Sequence, residues 1–143
     1  MYEKIMVAVD GSAMSEKAVR VAARLAEILG ADVHLVYVCN LPDYYYFAPS
    51  VETFRRVESE IEREGEGILK KEEALCQAIL GRFCHSQVLR GNVVEALVNY
   101  AKKVNAHLIV VGARGMGAIQ GALLGSVSHG LSHKSATDVL IVK

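Results

Sequence analysis

The sequence of 143 residues predicts a three-layer α/β domain built on a parallel β-sheet. Two observations predict it. Five short, mostly apolar runs, at 5–9, 33–38, 83–89, 107–111 and 138–142, alternate with stretches of helical periodicity. That alternation is the mark of strand–helix–strand units whose sheet is covered on both faces. A glycine-rich segment then joins the fourth run to the last helix, outside the carboxyl end of a strand, where open α/β sheets bind ligands.

Composition narrows the class. An apolar share of 52% with 22% charged residues is that of a globular chain, and the length suits one domain spanning 1–143. Sixteen basic residues balance sixteen acidic ones, so no global field draws the chain to nucleic acid or an anionic membrane. No apolar run approaches a membrane span and no signal-peptide pattern opens the chain, which gives a cytoplasmic expectation. Cys39, Cys76 and Cys84 are odd in number and lack a Cys-x-x-Cys spacing. They read as small apolar side chains in a reducing compartment, with neither a disulfide framework nor a metal site.

Residues 5–9 form a continuous apolar run, as a central strand would, and Asp10-Gly11-Ser12 ends it. A helix is expected over 15–29, with Ala18, Ala22, Leu25 and Leu29 at helical spacing and Gly30 as its stop. The second strand follows at 33–38. The next loop holds Tyr44-Tyr45-Tyr46-Phe47, four of the nine aromatic residues. It suits a packed loop better than a lid or docking patch. Residues 51–80 predict one long helix, open to a break at Glu64-Gly65-Glu66-Gly67, with its charges on a solvated face. The third strand is expected at 83–89.

Asn92 and Glu95 have the spacing of a capping box at the start of the third helix. Val94, Leu97, Val98, Ala101 and Val104 make its buried stripe. Strands at 107–111 and 138–142 flank the glycine loop and a helix over 126–134. His129 and His133 lie one turn apart on that helix, but Gly130 stands where a zinc protease has its glutamate, so they read as a surface pair.

The loop holds Gly112, Gly115, Gly117, Gly121 and Gly125, with Arg114 its one charge, and Ser126 opens the helix. Glycine N–H groups and the positive end of a helix dipole can converge on an anion. A plain turn with Ser126 as N-cap is the simpler alternative. A Walker A loop fails because Ala118 replaces its lysine, and a dinucleotide fingerprint fails because Gly121 comes one residue late.

The spacing that fits is Gly112-x-x-Gly115-x(9)-Gly125-Ser126. With Lys4-Ile5-Met6-Val7-Ala8-Val9-Asp10-Gly11-Ser12 at the start and Val139-Leu140-Ile141-Val142 at the end, it closely resembles the universal stress protein family in its ATP-binding branch. The resemblance spans nearly the whole chain. It implies a Rossmann-like fold of the adenine nucleotide alpha hydrolase-like kind, with a five-stranded parallel sheet in order 3-2-1-4-5. It implies ATP, ADP or AMP as ligand, with Mg2+ or Mn2+ held only through the phosphates and no protein metal site. By the same resemblance, Val38 meets the adenine edge through its backbone. Ala8 and Val9 line the base, and Asp10 contacts ribose or the metal–phosphate region. Gly112, Arg114, Gly115, Gly125, Ser126 and Val127 surround the phosphates. A side chain at Gly125 is then expected to enter the phosphate volume.

Two positions depart from the family pattern. Ala136 and Asp138 stand where many members have Pro-x-Pro, which bears on dimer geometry. Met116 stands where a basic or polar residue is common, which leaves Arg114 as the loop's one cation. The favoured function is a regulatory stress-response protein whose nucleotide state biases conformation or partner binding. A slow ATPase and a nucleotide-independent dimeric interaction module are the alternatives. No serine–glycine loop follows the first strand and no glutamate flanks the glycine loop, which disfavours efficient hydrolysis. The resemblance also implies a homodimer paired through Val139, Leu140, Ile141 and Val142. That strand would leave an uncovered sheet edge.

Overall fold

A computed structural model describes residues 1–116 and 124–143. Gly117, Ala118 and Gly121 lie outside the described residues. The elements run β1 (Lys4–Ala8), α1 (Ala13–Leu29), β2 (Asp32–Cys39), a 3-10 helix (Asp43–Phe47), α2 (Val51–Leu80), β3 (His85–Arg90), α3 (Val93–Val104), β4 (Leu108–Gly112), α4 (Ser126–Lys134) and β5 (Asp138–Val142). All four strand pairings are parallel, and the sheet order is β3-β2-β1-β4-β5. The expected architecture and strand order are both present.

Alternation along the strands divides the core into two layers. Ile5, Val7, Val33, Leu35, Leu108 and Val110 face α1 and α2, packing with Val19, Ala22, Leu69 and Cys76. Met6, Val36, Ile109 and Val111 face α3 and α4, packing with Leu97, Ala101 and Leu131. Cys39, Cys76 and Cys84 are buried free thiols, as expected.

The element boundaries follow from caps. Ser12, not Ser15, starts α1, because its hydroxyl accepts the Ser15 N–H at 3.1 Å. Asn92 caps α3 by accepting the Glu95 N–H at 3.1 Å. Strand β3 begins two residues later than expected. Phe83 is 66% exposed, and only from His85 does the chain pair with β2.

Helix α2 is the one long helix expected over 51–80, and it settles the open question of a break at Glu64-Gly65-Glu66-Gly67. It is unbroken over its 30 residues. Gly65 is buried at its middle, where a Cβ would overlap the ring of Tyr37 on β2. The glycine is a packing contact that draws the helix onto the sheet, which offsets its low helical propensity. The charges of α2 do not all lie on the expected solvated face. Glu72 is 3% exposed, and its Oε2 has no hydrogen-bond partner.

Candidate functional site

Strands β1 and β4 are paired neighbours at the centre of the sheet, so their carboxyl ends open into the same space. There the chain leaves β1 toward α1 and β4 toward α4. A crevice forms because the two connections diverge to opposite faces of the sheet. It holds a cavity of about 600 Å³, within the range of small-molecule sites.

All ten residues expected at the site line this cavity: Ala8, Val9, Asp10, Val38, Gly112, Arg114, Gly115, Gly125, Ser126 and Val127. They come from the ends of β1, β2 and β4 and from the start of α4. Ser126 opens α4, but the N-cap position is Gly125, with extended backbone and no side-chain cap. The first backbone bond of α4 joins the His129 N–H to the Gly125 carbonyl at 3.0 Å. The N–H groups of Ser126, Val127 and Ser128 therefore have no partner within the helix, and the positive end of its dipole faces the cavity.

Asp10 organises the loop. Its Oδ1 accepts the Ser12 N–H at 2.9 Å, an Asx turn that leads into α1. Its Oδ2 accepts the Met116 N–H at 3.0 Å. The carboxylate rests over Gly115, where a Cβ would collide with Oδ2. One side chain thus holds the first residues of both connections that border the crevice.

The glycines prove to have different reasons. A Cβ at Gly112 would lie 2.7 Å from Met14 Cγ and 3.1 Å from Met14 backbone, so this glycine lets the first turn of α1 approach β4. A Cβ at Gly125 would lie 3.3 Å from the Ala113 carbonyl oxygen and from Arg114 Cα. It would press on the loop backbone rather than enter the open cavity, so the expected reason for this glycine is corrected. The Gly125 N–H and the Ser128 hydroxyl both donate to the Ala113 carbonyl, which pins the loop to the helix start.

Sequence reasoning missed part of the wall. Tyr37, Asn40 and Glu64 also line the cavity. Glu64 is carried there by α2, and it stands beside the Gly65 contact with Tyr37. Burial raises the Tyr37 phenol above its ordinary pKa, and the Glu64, Cys39 and Asp10 charges raise it further. The alternation of β2 could have flagged Tyr37 as inward-facing; nothing local flags Glu64.

His129 and His133 lie outside this cavity as an exposed pair, with ring centroids 4.6 Å apart. Among the described residues, no group of three or more His, Cys, Asp or Glu could hold a metal ion. No helix among them is long and apolar enough to cross a membrane.

The universal stress protein family model matches residues 1–143. The chain is 32% identical to the universal stress protein YxiE of Bacillus subtilis, with all of both chains covered. The universal stress protein UspA from Lactobacillus plantarum shares the fold, with a TM-score of 0.89 over 99% of this chain and 98% of that one, at 19% identity. A universal stress protein solved in complex with cAMP is 28% identical, with a TM-score of 0.75 over 99% of this chain and 97% of that one.

Proposed function

The chain belongs to the universal stress protein family, and on that footing we propose that it is an adenine-nucleotide-binding regulatory protein. The observation that carries the reading is the convergence in one cavity of Gly112, Gly115 and Gly125, the α4 N–H groups that have no partner within the helix, and Asp10. The cAMP complex of a relative supports the same ligand class. In this reading the base lies along Ala8 and Val9 with its edge on the Val38 backbone. The phosphates lie on Gly112, Gly115, Gly125, Ser126 and Val127, with Arg114 at the rim. ATP, ADP and AMP are the candidate ligands, and Mg2+ or Mn2+ would enter on a polyphosphate. Nucleotide state would then bias conformation or partner binding, and a protein partner or a second copy paired along β5 would read it. The three buried free thiols favour a reducing cytoplasm as its setting.

Calorimetry with wild type and Gly125→Val tests the site. The valine would displace the loop from Ala113 and Arg114 and abolish binding, while the circular dichroism spectrum stays native. Undiminished affinity in the folded variant would remove this cavity as the nucleotide site.

A further inference from the structure

The charge balance of the cavity wall sets which nucleotide fits it. Among the described lining residues the charged ones are Asp10, Glu64 and Arg114, a net charge of minus one. In sequence, residues 117–123 carry no charged side chain. Asp10 is committed to two backbone N–H groups at 2.9 and 3.0 Å. Glu64 has no such role and stands exposed at the rim. Its place follows from Gly65, whose contact with Tyr37 holds that turn of α2 against β2. Both carboxylates act on the Tyr37 ring, so their fields meet inside the same wall.

We propose that Glu64 is a specificity-determining residue that biases the cavity toward adenine nucleotides with one phosphate group and against metal-free triphosphate. The proposal rests on the adenine-nucleotide reading above and specifies its ligand. A free triphosphate carries roughly two more negative charges than a monophosphate. The backbone N–H groups and the α4 dipole stabilise one phosphate group locally. Each further phosphate adds repulsion from Glu64, which among the described lining residues Arg114 offsets. A divalent cation bound to the polyphosphate relieves that repulsion.

The test is calorimetry of the full chain with AMP, ADP and ATP at low salt, in EDTA and again with Mg2+. Wild type should bind AMP at least as tightly as metal-free ATP. Glu64→Gln should tighten metal-free ATP by about fivefold and AMP by about twofold, from Coulomb interaction across a solvated cavity. Glu64→Lys should roughly square those gains, because it changes the charge by two. In 0.5 M NaCl the differences should largely vanish, which a purely structural role for Glu64 would not produce. Both substitutions keep good helix formers at an exposed position, so the variants should fold. A wild-type preference for metal-free ATP, or an unchanged ATP-to-AMP ratio in both variants, overturns the role of Glu64. A wild type that binds none of the three nucleotides overturns the nucleotide reading itself, which is a separate result.

Discussion

The Asp10 carboxylate accepts the Met116 backbone N–H at 3.0 Å and so ties the end of β1 to the glycine loop after β4. The two residues are 106 positions apart in sequence. The bond is charge-assisted, and such bonds are roughly twice as strong as neutral ones. It holds Met116 and Gly115 beside Asp10 before any ligand arrives, which lowers the ordering cost of those residues on binding.

Gly115→Ala should break that tie, since its Cβ would collide with Asp10 Oδ2. We expect nucleotide affinity to fall by about tenfold, the effect of one hydrogen bond to a charged group. Asp10→Ala should cost a similar factor, and the double variant little more than either alone. Calorimetric affinities that multiply independently would show that the two residues do not act through one contact.

Two neighbouring glycines of α2 should respond in opposite directions. Gly65→Ala forces its methyl into the Tyr37 ring and should destabilise the fold by about 1–3 kcal/mol, the usual effect of overpacking. Gly67 has open space at its Cβ, so Gly67→Ala should stabilise by up to ~1 kcal/mol through helix propensity. Urea denaturation of both variants checks the contrast. Equal stabilisation would mean that Tyr37 moves aside at no cost.

The proposed homodimer makes distinct demands on adjacent residues of β5. The Val142 carbonyl accepts the Ala113 N–H at 2.7 Å, so the polar backbone groups of Val142 face β4. By strand alternation those of Leu140 do too, while Val139 and Ile141 direct theirs off the sheet edge. Ile141→Pro should therefore remove an outward donor and yield a folded monomer. Leu140→Pro should damage the β4–β5 ladder and the fold itself. Light scattering with circular dichroism separates the two. A wild-type monomer at micromolar concentration, or a dimer that survives Ile141→Pro, would exclude this pairing.

Glu72 should make stability fall as pH rises. Burial is the main reason its carboxyl stays protonated above the ordinary glutamate pKa. Glu16 and Asp10 add to that, and Lys71 and Arg20 partly oppose it. The native state then binds the proton more tightly than the unfolded chain. Its contribution is fully present below the unfolded pKa and is lost as pH rises through the raised folded value. Glu72→Gln should match wild type at pH 4 and exceed it at pH 8 by about 1 kcal/mol, the scale of burying one unsatisfied polar group. Thermal melts across that range would show the gap widening with pH. A constant gap would mean that the carboxyl does not titrate between the two states as argued.

Sequence alone determined most elements of the fold and named ten residues that line one cavity. Strand runs such as 5–9 and the α3 stripe at Leu97 and Ala101 are local patterns, and burial on one or two faces imposes them wherever they fold. The ten residues expected at the site were named from the spaced glycines and the family resemblance, and they do line one cavity, at the ends of β1, β2 and β4 and the start of α4. Caps written into neighbouring residues, such as Asn92 with Glu95, were legible from their spacing. Tertiary structure decided what depends on how distant segments meet. Glu64 looks like one more surface charge until Gly65 seats α2 on Tyr37. Glu72 has an ordinary helical neighbourhood in sequence and becomes buried only when the helices pack on the sheet. Gly125 resembles a phosphate-loop glycine by spacing, yet the direction of its missing Cβ, toward Ala113 and Arg114, is set by how the residues just after β4 pack on the start of α4. Periodicity records which face of an element is buried. It does not record which residue of another element arrives there, because that depends on the crossing of segments far apart in the chain.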